Sequence, residues 1–439
     1  MNGIDRAVVA EHEPEHIQIM RNAREHDPDT LQEPRLGWAA LSRTRLNKAE
    51  AQLEQGKDDG VRDEVGVLAL HTAYANRFFP GTSTQQRRLR YALFVPWQIE
   101  DLLRGKLSAV QARSELQRRE IQLATRLVGQ PGVIGARKAT DGLPVSIPPS
   151  SAYWVALREW GLVNAPPGNV APSRHDMFRH WEKWGDGRAG RRLKDDEGRD
   201  MVVSHRLFID GLPEAPRHFR TRGPLDFTLE EGEGDFLRER LAQTERSFDR
   251  KPSLLAALAV AGIVPTENEQ LWSRRIKAQA DSRDRKAIER ARGAASLSAV
   301  ARALYAAAVE ALREDGPTER HQGHLGSVMA EHGARAASLQ LETLASDGVE
   351  LGPELHDVLQ HVQQWIESDG SDPLEPKVYR VLTDWECRRK GSRAKLPKSR
   401  QGREARRGWG SQDLAEPIGY RWWVVRNLLQ DLAGNGHGV

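Results

Sequence analysis

A chain of 439 residues exceeds what one ordinary core organises, so two or three domains are expected. Its single cysteine, Cys387, excludes an internal disulfide and a thiolate zinc cluster and suits a reducing cytosol. The formal net charge of +3 excludes a general polycation. The sequence also has no signal-peptide core and nothing near the roughly 18 apolar residues of a membrane span, so a cytoplasmic protein with no membrane partner is expected.

Residues 1–35 are polar, aperiodic and rich in Glu, His and Asp, the pattern of a mobile tail. Leu41, Leu46 and Leu53 fit a short helix, and an apolar stretch begins at Val65 and runs to Phe79. Pro80-Gly81 then reads as a turn, followed by Thr82, Ser83 and Thr84, which are placed to cap a helix predicted over 85–103. Pro96 removes a backbone donor and should break or kink that helix. Leu107, Val110, Leu116, Ile121, Leu123 and Leu127 share one face of a helix predicted over 107–127. After a loop rich in Gly and Pro, Ser150 or Ser151 is placed to cap a helix over 152–160 that carries Tyr153, Leu157 and Trp160 on one side.

From 164 to 235 glycines and prolines punctuate the chain, and only 201–209 suggests a strand. Helical periodicity returns over 236–241, 253–261, 267–292, 297–312, 327–344, 353–366, 376–389 and 420–432. The expected fold is mainly α and multidomain, with a short β or irregular segment near 165–235. Its expected parts are the tail 1–35, an N-terminal helical domain 36–163, an irregular linker or insertion 164–235, a helical domain 236–370 and a basic helical region 371–439.

Three stretches carry a resemblance: Leu36-Gly37-Trp38, then Phe79-Pro80-Gly81-Thr82-Ser83-Thr84, then Arg88-Leu89-Arg90-Tyr91-Ala92-Leu93-Phe94-Val95-Pro96-Trp97. Together they resemble the LGW, FPGTST and RYxLFVPW motifs of a bacterial family that carries only a domain-of-unknown-function label. Ser150 to Gly161 resembles its next landmark, and Ser253-Leu254-Leu255 a later one. The resemblance implies antiviral defence, because such genes tend to neighbour helicases and phospholipase-D-like nucleases, which become the candidate partners. The family pattern has Thr where this chain has Gln86, so no hydroxyl chemistry is carried over to that position.

Two arginine-rich stretches are candidate DNA contacts. Arg87, Arg88 and Arg90 follow the hydroxyl-rich turn, where a helix's free N–H groups and dipole would favour a phosphate. The plainer reading is that the hydroxyls only cap and the arginines pair with Glu100 or Asp101. The second stretch holds Arg388, Arg389, Lys390, Arg393, Lys395, Lys398, Arg400, Arg403, Arg406 and Arg407, opposed only by Glu404. With Trp409 and Tyr420-Arg421-Trp422-Trp423 close by, it resembles an electrostatic footprint with stacking groups. Gly391, Gly402, Gly408 and Gly410 predict a loop there, and a solvated connector is the plain alternative.

Other clusters imitate chemistry. Asp372, Glu375 and Lys377 resemble a metal-dependent nuclease set, but they are interleaved with Pro373 and Pro376 in a predicted turn. His321, His324 and His332 imitate a metal triad, and His175-Asp176 with His180 a phosphohydrolase fragment. The sequence has no Walker-type Gly-Lys-Ser/Thr loop, so ATP hydrolysis would fall to a partner. The function expected is a non-catalytic DNA-binding or complex-organising accessory component that uses no cofactor. A metal-dependent nuclease and a protein-interaction scaffold are the alternatives.

Overall fold

Alanine is the strongest helix former, and the alanine-rich stretch of this chain forms the longest helix among the described residues. The computed structural model describes residues 63, 65–165, 170–184, 192–194, 200–202, 206–313, 319–368, 370–407, 409 and 413–434. The expected tail 1–35, the Leu36-Gly37-Trp38 motif and the short helix through Leu41, Leu46 and Leu53 lie outside these residues.

The protein is mainly α. Its first helices are α1 (Leu68–Phe78), α2 (Tyr91–Leu103), α3 (Ala109–Arg126), α4 (Ala136–Thr140), α5 (Pro149–Glu159), α6 (Arg174–Arg179) and α7 (Trp181–Trp184). A two-stranded antiparallel ribbon follows, β1 (Arg192–Lys194) and β2 (Asp200–Val202), with Leu193 opposite Met201. Next come α8 (Arg217–Arg220), α9 (Glu233–Ala242), α10 (Leu254–Val260), α11 (Arg274–Gln279), α12 (Ser282–Ala311) and α13 (Arg320–Ala337). A 3₁₀ turn over Leu341–Asp347 leads into α14 (Pro353–Glu367) and α15 (Pro376–Lys390), then a 3₁₀ turn over Gly391–Arg393, α16 (Arg400–Arg407) and α17 (Trp422–Leu432). No described helix is long and apolar enough to cross a membrane.

The predicted helices over 267–292 and 297–312 are not separate. A turn and α11 occupy the first part, and α12 then runs unbroken for 30 residues, about 45 Å at 1.5 Å per residue. Asp281 caps it through the Asp284 N–H at 2.7 Å. Most residues from Ala287 to Glu310 are buried, so this helix is surrounded by protein instead of showing one apolar stripe. The expected segments 36–163, 236–370 and 371–439 all contribute residues to the single continuous core around it.

The turn at Pro80-Gly81 sits deep in that core. Gly81 has φ +79°, and a Cβ there would lie 2.7 Å from Trp160 Nε1 and 2.9 Å from Glu159 Cβ, so only glycine fits. The Trp160 indole N–H donates to Pro80 O at 3.0 Å. Helix α2 begins at Tyr91, six residues later than the sequence predicts. Instead of capping it, the Thr82 hydroxyl donates to Phe79 O at 2.7 Å. The peptides that would have opened the helix bind elsewhere: the Arg88 N–H donates to Tyr153 Oη and the Leu89 N–H to Asp431 Oδ2 at 2.7 Å. Gln86 is fully buried, and its amide N–H groups reach Gly81 O and Ala152 O. Pro96 lies within α2, where burial of every residue from Tyr91 to Ile99 outweighs the one lost backbone bond.

Helix α5 begins at Pro149, and its first turn is capped from another helix. Buried Glu120 of α3 accepts the Ser150 N–H at 2.7 Å, so neither Ser150 nor Ser151 is the cap. Tyr153, Leu157 and Trp160 are all buried, as their spacing predicts.

Candidate nucleic-acid interface

The two arginine stretches take different places in the fold. Arg87 is exposed, with its guanidinium 4.8 Å from the Trp423 ring. Arg88 is buried, and its Nε and Nη2 meet the two carboxylate oxygens of Asp431 on α17 at 2.9–3.1 Å. Burial holds the Asp431 carboxyl above the ordinary aspartate range, with the Arg88 charge opposing that rise. Arg90 is 2% exposed and bonds to Glu233 and Glu230 at 2.9 Å each, with Asp226 at 3.4 Å. Arg88 and Arg90 are therefore internal ties, not surface phosphate contacts. Nor do they use the carboxylates expected from sequence, since Glu100 and Asp101 pair with Arg104. Arg421 is also buried and donates to Thr82 O at 2.6 Å and to Asn76 Oδ1 at 2.8 Å, so it grips the same turn from the far end of the chain.

The run from 388 to 407 is a folded lobe and not the loop that its glycines predict. Buried Glu386 organises it: its carboxylate accepts the Lys395 and Leu396 N–H groups at 2.9 and 2.8 Å, the Tyr305 hydroxyl at 2.5 Å and Lys390 Nζ at 3.1 Å. The Tyr379 hydroxyl donates to Leu396 O at 2.6 Å. Ser399 opens α16, its side chain accepting the Gly402 N–H and its carbonyl the Arg403 N–H. Buried Arg406 donates back to Lys395 O, and to Pro397 O at 2.9 Å. Gly402 presses so close to the segment at 395–397 that a Cβ would run into Pro397 O.

These ties divide the ten cations. Arg406 is internal, Arg389 is half-buried and bonds to Asp63 at 2.9 Å, and Lys390 and Lys395 are half-buried around Glu386. Arg388 is exposed and pairs with Glu354 at 2.6 Å. Arg393, Lys398, Arg400, Arg403 and Arg407 are exposed. On α16 the spacing of Arg400, Arg403 and Arg407 puts all three on one face, along with Glu404, which pairs with Arg400 at 3.1 Å. Of the stacking groups expected nearby, Trp409, Tyr420 and Trp422 are engaged inside, whereas Trp423 is half-buried beside the exposed Arg87. Trp409 packs on His321 with ring centroids 5.0 Å apart, and Trp422 donates to Glu269 O at 2.6 Å.

The imitators have local explanations. The Glu375 carboxylate caps α15 by accepting the Lys377 and Val378 N–H groups, and Asp372 Oδ1 accepts the Leu374 N–H. Asp176 completes a capping box with Ser173. Burial lowers the pKa values of His321 and His332, and His324 bonds to Ala415 O. Among the described residues, no three His, Cys, Asp or Glu side chains gather as a metal-holding group.

Fold and surface together define a mainly helical protein that spends one arginine set on its own core and displays another on a folded lobe. The chain belongs to DUF6361, a family of unknown function whose model matches residues 34–346. The basic lobe lies beyond the matched stretch. No curated protein and no solved structure matches the chain.

Proposed function

We propose that the chain binds DNA through the lobe at 388–407, as a non-catalytic component that organises a larger assembly. One observation carries this reading: Arg393, Lys398, Arg400, Arg403 and Arg407 stand exposed on a segment whose backbone is fixed by Glu386, Tyr379 and Arg406. A flexible cationic tail must be ordered when it binds, whereas a folded lobe has already met that entropic cost. The stretch from Arg400 to Arg407 rises about 10 Å, an axial length over which duplex DNA carries about six phosphates. A cytoplasmic phage-defence setting, with helicase and phospholipase-D-like nuclease partners, is proposed from the family resemblance carried by the LGW, FPGTST and RYxLFVPW motifs and the gene neighbourhoods it implies.

The test is DNA affinity between about 50 and 200 mM salt, where releasing counterions from Z phosphates gives a slope of about −0.9Z in log K against log salt. Changing Arg393, Lys398, Arg400, Arg403 and Arg407 together to Gln should flatten the slope by about 4 and leave stability within about 0.5 kcal/mol. An unchanged slope and affinity in that variant would refute the proposal.

A further inference from the structure

A second basic surface lies within the family-matched stretch, between α3 and the segment around α8. It is an open groove of about 750 Å³ whose walls include Arg118, Arg119, Arg126, Arg220 and Arg222, with Gln98 among its lining residues. Asp101 is the one carboxylate among the described residues that line it.

The arginines are held in place by different means. Arg126 donates to three carbonyls, Gly223 O, Phe219 O and His218 O, each at 2.7 Å, and so lashes the segment carrying Arg220 and Arg222 to α3. Glu115 holds Arg118 at 2.5 Å and Arg119 at 3.0 Å, which steadies both guanidiniums. Arg220 lies 3.8 Å from Asp101. Five guanidiniums against the carboxylates of Asp101 and Glu115 (5 − 2) leave a formal charge of +3.

Gln98 adds an independent observation. It is 5% exposed, and its amide N–H donates to Arg119 O at 3.2 Å, which fixes the opposite end of the amide. Oε1 at that end is buried and has no partner among the described residues. An unmet buried acceptor calls for a donor, and a fully ionised phosphate offers none. The occupant should therefore combine phosphate charge with an N–H or O–H group.

We propose that this groove binds a nucleotide, with its phosphates on the arginine set and a base amino or ribose hydroxyl group donating to Gln98 Oε1. Guanidinium forks match phosphate oxygens in pairs and stack on base faces, and the volume is that of a small-ligand site. The nucleotide could be free or a unit of a strand, and the test separates these sources.

Calorimetry on the intact chain in about 150 mM salt, where exposed charges are screened beyond about 8 Å, would compare ATP, inorganic tripolyphosphate, hexaglutamate and a short single-stranded oligonucleotide. ATP should bind, and Arg220→Ala with Arg222→Ala should weaken it at least about tenfold without lowering Tm. Gln98→Met should weaken ATP about tenfold and leave tripolyphosphate unchanged. Because Gln98 is buried, the exposed Arg220 and Arg222 pair keeps the test decisive if Gln98→Met fails to fold. An oligonucleotide that binds with these same sensitivities when ATP does not would assign the site to a strand. The idea fails if no probe binds, if the Arg220 and Arg222 variant binds normally, if Gln98→Met affects neither phosphate probe, or if hexaglutamate competes as well as ATP. The five-glutamine variant of the lobe should bind ATP normally, which separates this site from the DNA surface.

Discussion

Arg88 and Arg90 and the run from Arg388 to Arg407 look alike in sequence, yet the fold treats them oppositely. The first pair is surrounded by Asp431, Glu230 and Glu233, and is buried because those carboxylates are within reach. In the second set only part of the charge is neutralised, by Glu386, Glu354, Asp63 and Glu404, and the remainder faces water on a backbone held from beneath. An arginine's role thus follows from the carboxylates that the tertiary fold brings to it, and less from its own neighbours in sequence. Removing one partner of a buried pair strands the other, whereas removing an exposed cation strands nothing.

The largest effect should test the buried side of this contrast. Arg88→Ala leaves Asp431 buried and unpaired, at a cost of about 3–5 kcal/mol. That loss should rival Trp97→Ala, where about 3–5 kcal/mol is expected for deleting a buried aromatic. Denaturant unfolding of both variants makes the check, and an Arg88 variant as stable as the parent would return that residue to the surface set.

A smaller effect should separate support from charge within the lobe. Gly402→Ala adds no charge but drives a methyl group into Pro397 O, an overpacking cost of about 1–3 kcal/mol. Amides at 395–403 should then exchange faster with solvent, and the DNA salt slope should shrink although every cation remains. Unchanged exchange would show that Glu386 and Arg406 hold the lobe without this close approach.

The smallest effect sharpens the role of Arg421. Burial foremost, and then the Arg421 charge, push the pKa of His71 from 6.5 down to about 3. The unfolded chain takes up a proton there below pH 6.5 and the folded chain does not until about pH 3. This contribution to stability is therefore complete above 6.5 and drains away as pH falls towards 3. In His71→Phe, unfolding midpoints at about pH 7 and pH 5 should lie closer together than in the parent. An equal gap in both proteins would mean that His71 titrates normally in the fold.

The sequence made local features legible. The Pro80-Gly81 turn and the shared face of Tyr153, Leu157 and Trp160 follow from glycine geometry and 3.6-residue spacing. Where α2 begins was not legible, because the peptide groups of Arg88 and Leu89 are claimed by Tyr153 and by Asp431, 342 residues beyond Leu89. The same holds for Glu120 capping α5 and for Glu386 folding a glycine-rich stretch that reads as a loop. Arg118, Arg119 and Arg126 were visible only as the charged side of a helix. Their groove depends on residues 218–223, which Arg126 binds through backbone carbonyls that carry no side-chain signature.

The tie between Arg88 and Asp431 also bears on synthesis. The two residues are 343 positions apart, so at about 5–20 residues per second the ribosome needs about 17–70 s to supply the partner that neutralises Arg88. Throughout that interval the turn at Pro80-Gly81 lacks Arg421 on Thr82 and Trp422 against Phe79. The centre of the protein therefore closes only after α17 has been made, and the nascent chain must carry an unfinished apolar surface until then.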